Sequence, residues 1–230
     1  IQTERAATLL FGKIRAGRER RGMNEEEKAW RNRFSELARR AYERGRYAFT
    51  DFLSLAEVQY LNAAEKELGY AGIALWGGFD GAERQVARFG RCDYEEAFPV
   101  VALKISPSNV KFAEPLTHRD YLGALVNLGI ERSTLGDIRA AENGAYLYCL
   151  ERIAPFIEEN LKRVRHTDVS CERAEKTVFE AKEKNSEILF VSSLRADCAV
   201  AAVFHLSRTD AAAYFEAERV FINGRVCTRA

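Results

Sequence analysis

The 230-residue sequence contains no apolar run near the length of a membrane-spanning helix. Such a helix needs about 20 consecutive apolar residues, so the sequence predicts no membrane association. From Ile1 onward the opening stretch mixes charged residues into its apolar positions, which predicts the absence of a signal peptide. We therefore expect a cytoplasmic protein.

The sequence also lacks the paired cysteines of a zinc site or a disulfide framework. Its five cysteines are odd in number and far apart, and none forms a C-x-x-C pair. This pattern favours reduced thiols. The three histidines, His118, His166 and His205, are too far apart for local metal-ligand spacing, so we expect no metal and no cofactor.

Signatures of nucleotide-using enzymes are missing as well. There is no G-x-G-x-x-G and no G-x-x-x-x-G-K. The THRD segment begins like a kinase catalytic loop, but Leu125 stands where that motif needs asparagine. The GGFDG segment at 77–81 could cradle a phosphate, although a turn between two strands accounts for it better. These absences predict a protein that is not an enzyme.

Charge is unevenly distributed along a chain whose net charge is +1. Residues 1–50 carry a net +6, residues 51–190 a net −6 and residues 191–230 a net +1. A basic N-terminal region is compatible with a polyanionic partner, and a solvated helix face would give the same counts.

The N-terminal region, residues 1–70, is predicted to be helical. Asn24 is a candidate N-cap, and three glutamates follow it where they favour the helix dipole. Apolar residues from Trp30 to Ala41 then recur at helical spacing. A second helix is predicted from a cap at Ser54 to an end near Gly69.

Residues 71–174 are predicted to form an α-β plait. A strand pair joined through GGFDG comes first, and then segments in the order β-α-β-β-α-β, with Asn143-Gly144 as the central hairpin turn. This order is the ferredoxin-like plan that RRM-like RNA-binding domains share. The sequence thus predicts an α+β fold, with a linker over residues 175–187.

The residues of the helix predicted to begin at Thr117 in the plait can be interpreted in two ways. Its apolar face and cap are explained by packing alone. Lys111, His118 and Arg119 nevertheless cluster before and at its N-terminus, where backbone amides favour anions. A phosphate-contacting surface is the sharper hypothesis for these three residues.

Residues 188–230 are predicted to form two helices and a hairpin. The first helix is expected to turn Ala196, Val200, Val203 and Phe204 inward. Ser207 and Asp210 form a capping pair for the second helix, and Asn223-Gly224 is a favoured hairpin turn. Four arginines have no packing explanation, and we expect them to gather on one edge and contact phosphate: Arg195, Arg208, Arg219 and Arg225.

This C-terminal stretch resembles the small RNA-binding domain named after ribosomal protein S-four, the αL motif. That signature runs R-x-D, then L-S-R with an alanine, then a V-x-V-N-G strand and turn. The matching residues are Arg195, Asp197, Leu206, Ser207, Arg208, Ala211, Val220, Asn223 and Gly224. The resemblance implies that Arg195, Ser207, Arg208, Arg219 and Arg225 contact RNA and that Asn223 and Gly224 shape the hairpin.

Blocks from about residue 51 to 226, including GGFDGAER, FPVVALKIS and VSSLRADCAVAAVFHLSR, together resemble the bacterial YlmH family. The resemblance implies a cytoplasmic RNA-binding protein associated with the large ribosomal subunit and tRNA in the rescue of stalled translation. Its partners would be ribosomal RNA and tRNA, and we expect a monomer.

The sequence departs from the S-four-type signature at two positions. Asp210 stands where members usually carry lysine, and Glu218 stands where they carry glycine. Both acids should weaken phosphate contact. The domain usually continues for another strand or two after the hairpin, so Ala230 predicts an incomplete copy.

Two alternatives remain open beside a non-catalytic RNA-binding protein. Pseudouridine synthases and tyrosyl-tRNA synthetases append the same small domain, so an RNA-modifying enzyme is one. The other is a protein-interaction scaffold linked to cell division, in which the basic helix binds an acidic partner.

Overall fold

A computed structural model describes residues 25–110, 113–141, 143–174, 191, 193, 195–222 and 225–227. The chain divides into two compact units, one over Glu25–Lys182 and the other including Glu183–Ala230. The mixture of helices and antiparallel sheets confirms the predicted α+β class. The predicted linker at 175–187 lies outside the described residues.

The larger unit begins with two helices packed on a small sheet. Helix α1 spans Glu25–Arg44 and α2 spans Leu55–Leu68. The strands are β1 (Ala48–Leu53), β2 (Ile73–Trp76) and β3 (Gln85–Phe89), in the antiparallel order β1-β3-β2. The predicted Ser54 cap is confirmed as a capping box with Glu57.

Strand β1 corrects the prediction that residues 1–70 are helical. It pairs with β3, so the expected boundary at residue 70 falls within one sheet. Phe34 and Ala38 of α1 pack against one face of that sheet, beside Phe89 of β3. On the other face, Phe52 of β1 belongs to a separate apolar cluster with Tyr148.

The plait follows in the predicted β-α-β-β-α-β order. Its elements are β4 (Val100–Pro107), α3 (His118–Asn127), β5 (Leu135–Ala141), β6 (Gly144–Leu150), α4 (Ala154–Asn160), β7 (Arg163–Val164) and β8 (Thr167–Arg173). The sheet order is β5-β6-β4-β8-β7 with antiparallel neighbours. Taking β4, β5, β6 and β8 as strands 1 to 4, this is the ferredoxin-like arrangement.

Two tight turns connect neighbouring strands of the plait. Gly144 starts β6 at a φ of +127°, and a side chain there would collide with the carbonyl of Ile105 on β4. Because Gly144 already pairs with Ala141 of β5, the predicted hairpin is confirmed, but Gly144 belongs to the strand and not to the turn. The last predicted strand, 162–172, is instead a tight hairpin. Arg165 lies in its turn with a φ of +53°, which reverses the chain between β7 and β8.

The face of the plait sheet opposite the one on which α3 and α4 pack is partly covered. Tyr148 of β6 is 1% exposed, and its ring lies 4.7 Å, centroid to centroid, from that of Phe79 in the β2–β3 connection. Arg84 fixes this connection by donating hydrogen bonds to the carbonyls of Phe52, Arg132 and Leu135.

The C-terminal unit contains α5 (Ala196–Phe204), α6 (Arg208–Glu216) and a hairpin of β9 (Phe221–Ile222) with β10 (Arg225–Val226). Its small core holds Val200, Ala211 and Phe215. Phe204 was expected to point inward, but it is 43% exposed. Helix α5 ends at this residue and His205 turns away with a left-handed φ of +53°, so the last turn lies beyond the core.

Candidate RNA-contact surfaces

The hydroxyl of Ser207 is used in the N-terminal cap of α6. Its oxygen accepts a hydrogen bond from the Asp210 amide at 3.1 Å, and its hydroxyl donates to the Asp210 carboxylate at 2.7 Å. The predicted capping pair is therefore confirmed. Because both bonds are internal, Ser207 positions the start of α6, and with it Arg208.

Arg195 and Arg208 lie around the start of α5. Arg195 makes a two-pronged ion pair with Asp197, with both N–O distances at 3.0 Å. This guanidinium and the Cys198 amide hold the pKa of Asp197 below its usual value. Arg208 donates to the Cys198 sulfur at 3.4 Å, so the two arginines share one small cluster.

The charge of Arg195 is largely compensated within this cluster. The Asp197 side chain is only 8% exposed, whereas that of Arg195 is 55% exposed. Arg208 is exposed at the first position of α6. The structure therefore leaves Arg208 better placed than Arg195 to meet an external anion.

Arg219 lies beyond the other end of α6. Its guanidinium stacks over the ring of Tyr214 at 5.3 Å from the centroid, and Tyr214 is itself 38% exposed. Nine helical residues, roughly 13 Å of axis, separate it from the start of the helix. Arg195 and Arg208 therefore lie together and Arg219 lies apart from them, and the expectation that the four arginines gather on one edge stays a prediction.

Glu218 and Asp210 are the two acids that depart from the S-four-type signature. Glu218 has a φ of +55°, a left-handed conformation that glycine adopts most easily. Asp210 is committed to the α6 cap. Asn223, Gly224 and the side chain of Arg225 lie outside the described residues, as does Lys111.

The second predicted surface lies at the start of α3. Thr117 and Asp120 form the cap, and His118 and Arg119 follow Thr117. Partial desolvation and the positive charge of Arg132 hold the pKa of His118 below its ordinary value of 6.5. His118 therefore favours its neutral form, and its predicted contact with phosphate stays a prediction.

Arg119 lies on a groove that sequence reasoning missed. The groove runs between α3 and the segment from the end of α4 to the β7–β8 turn, and it also contains Arg163 and Arg165. These two arginines were read as parts of one long strand. The signal was present in KRVRH, where Val164 is the only apolar residue between basic ones.

Comparison with known proteins places these surfaces in a family context. A family model described as "Putative RNA-binding domain in YlmH" matches residues 94–178. The chain is also 29% identical over 207 residues to the ribosome-associated protein quality control protein P2 of Bacillus subtilis (strain 168). That alignment covers 87% of this chain and 79% of the relative. These matches confirm the resemblance to the YlmH family.

A solved structure shares the fold. The cell division protein ylmH from Streptococcus pneumoniae matches with a TM-score of 0.55 and 22% identity, over 67% of this chain and 94% of the other. The YlmH-type domain match at 94–178 encloses the plait from β4 to β8. The groove beside α3 therefore lies within the part of the chain that the RNA-binding family model matches.

Within the described ranges, no helix combines the length and apolar character needed to cross a membrane. Over the same residues, histidine, cysteine and carboxylate side chains form no group of three that could hold a metal ion.

Proposed function

We propose that this chain is a non-catalytic, cytoplasmic RNA-binding protein of the YlmH type. It would act as a monomer on the large ribosomal subunit, contact ribosomal RNA and tRNA, and serve quality control of stalled translation. The YlmH-type domain and the name of the B. subtilis relative support this assignment.

The exposed arginines at the two ends of α6 are the observation that carries the proposal. Arg208 lies at the first helical position, where backbone amides add positive potential, and the Arg219 guanidinium lies over the Tyr214 ring. Guanidinium groups make forked hydrogen bonds to phosphate oxygens, and a ring-stacked arginine keeps its orientation at low entropic cost. Helix α6 thus offers two separated phosphate contacts.

Salt-dependent binding of a structured RNA tests the proposal. We expect the full chain carrying Arg208→Gln and Arg219→Gln to bind every tested RNA more weakly. Each lost phosphate contact should reduce the slope of log affinity against log salt by about one.

Arg152→Gln is the matched control. It removes one positive charge, against two in the double variant, from an exposed arginine that already pairs with Asp51 at 3.0 Å, so RNA affinity should stay at the wild-type value. Equal affinities for the double variant and the wild type at all salt concentrations would overturn the role of α6.

A further inference from the structure

The groove beside α3 has the size of a ligand site. Its volume is about 490 Å³, within the range of about 300–1,000 Å³ of small-molecule sites. One wall is α3 and the other is formed by the end of α4 and the β7–β8 turn. The lining residues are Arg119, Asp120, Gly123, Ala124, Asn127, Leu128, Asn160, Leu161, Arg163 and Arg165.

Gly123 leaves the groove open at the middle of α3. Glycine is among the least favourable residues inside a helix, and packing does not demand it here. A Cβ at this position would meet no atom within 4 Å, and the backbone φ is not in the left-handed region. The effect of glycine at this position is that no side chain enters the groove from the centre of the helix.

The charged lining consists of three arginines and one aspartate. Arg165 pairs with Asp120 at 3.4 Å, and the Asp120 side chain is 16% exposed. Asp120 also accepts hydrogen bonds from the amide and hydroxyl of Thr117, so this carboxylate holds Arg165 at the groove. Positive charge remains in excess, because Arg119 and Arg163 line the groove as well.

Arg163 also pairs with an acid, Asp168, at 3.5 Å. Both side chains are more than half exposed. Such exposed pairs contribute little, and an incoming phosphate can therefore compete with Asp168 for the guanidinium.

Apolar and amide groups complete the lining. Ala124, Leu128 and Leu161 supply carbon surface, while Asn127 and Asn160 supply donors and acceptors. Apolar surface suits the face of a nucleobase, amides suit its edge and arginines suit its phosphate. The combination fits an unstacked nucleotide better than it fits the regular backbone of a duplex.

The usual platform of an RRM-like plait is partly blocked in this chain. RRM domains stack bases on aromatic residues of the sheet face. Here Tyr148 is buried beneath Phe79, and Arg139 stacks on the same Phe79 ring at 5.1 Å. The helix side of the plait therefore provides an alternative position for a base.

We propose that the groove between α3 and the β7–β8 turn binds one unstacked nucleotide of a single-stranded RNA segment. The base lies against Leu128 and Leu161, and the phosphate meets Arg119, Arg163 and Arg165. This inference rests on the proposed RNA-binding function and names the RNA feature that the plait recognises.

Titration of the full chain with nucleoside monophosphates, followed by amide NMR, tests the proposal. AMP, GMP, CMP and UMP are the probes, with inorganic phosphate and uridine as partial ligands. We expect the amides of Gly123, Asn127 and Arg165 to shift together with at least one monophosphate. Inorganic phosphate or uridine alone should bind at least tenfold more weakly.

Two variants on α3 separate the groove from the rest of the helix. Gly123→Leu fills the groove with a better helix former and keeps every charge, so monophosphate affinity should fall at least tenfold while the unfolding temperature holds or rises. Val126→Leu alters a residue of the same helix that is 49% exposed and outside the groove. Affinity should not change in this control.

Three results would overturn the proposal. They are an absence of groove shifts at millimolar monophosphate, equal affinity for inorganic phosphate, and unchanged affinity in Gly123→Leu. If any of these results occurs while RNA binding remains salt-dependent and still requires Arg208 and Arg219, only the proposal for the groove is rejected. If RNA binding also fails to depend on salt and on Arg208 and Arg219, the proposed RNA-binding function is rejected.

Discussion

Glu218 is unfavourable in two ways, through its backbone conformation and through its negative charge. Its φ of +55° costs a residue with a Cβ roughly 1 kcal/mol relative to glycine. It also adds an acid directly before Arg219, on the side proposed to contact phosphate. The S-four-type signature has glycine at this position, and the backbone conformation supplies the physical reason.

Replacing Glu218 should improve both stability and RNA binding. We expect Glu218→Gly to raise the local unfolding free energy of α6 by about 0.5–1 kcal/mol, since relief of strain exceeds the added freedom of the unfolded chain. Hydrogen exchange of the α6 amides measures this change. RNA affinity should also rise, because a negative charge beside Arg219 is removed.

Glu218→Gln is the control that separates the two causes. It removes the charge and keeps the Cβ, so affinity should rise without the gain in exchange protection. If Glu218→Gly exchanges faster than the wild type, the strain explanation is wrong.

At the residue scale, caps were predictable and charge states were not. The capping pairs at Ser54, Thr117 and Ser207 follow from short local spacings, and the structure contains all three. The lowered pKa of His118 depends chiefly on desolvation and Arg132. That arginine is 14 positions away, and local sequence patterns do not reveal such contacts.

At the element scale, the plait was predictable because its strands alternate with periodic helices and glycine turns. Strand β1 was missed because AFTDFL lies in the short stretch between an amphipathic helix and a helix cap. Its strand conformation depends on pairing with β3, more than 30 residues later. The β7–β8 turn was missed because Arg165 takes its left-handed conformation without glycine.

Arg84 connects several elements of the larger unit, and its loss should lower the stability of that unit. Burial and nearby Arg132 lower the pKa of Arg84 to about 10, so it remains charged at neutral pH. We expect Arg84→Met to lower the free energy of unfolding by about 2–4 kcal/mol, since the buried contacts and the hydrogen bonds that Arg84 donates to three carbonyls are lost together. Urea denaturation of the full chain measures this.

Arg91→Met serves as the comparison for Arg84→Met. Arg91 is exposed and donates one hydrogen bond, to the Gly69 carbonyl at 3.0 Å, so its loss should cost less than about 1 kcal/mol. Equal costs for the two variants would mean that Arg84 does not secure the β2–β3 connection.

At the scale of the whole molecule, the two units carry different kinds of candidate contact. The C-terminal unit presents arginines at the ends of a short helix, which suits phosphates. The plait presents a groove with apolar, amide and cationic lining, which suits a nucleotide. The motif-bearing unit was evident from spacing, whereas the groove depends on how α3 packs against the β7–β8 turn.

The central claim is that this chain binds the large ribosomal subunit through phosphate contacts made by arginines. Sedimentation of the full chain with purified large and small ribosomal subunits, at low and high salt, tests it most directly. We predict binding to the large subunit that weakens steeply with salt and falls in the Arg208→Gln, Arg219→Gln variant. Binding that persists at high salt, or that is equal for both subunits and for the variant, would contradict the account.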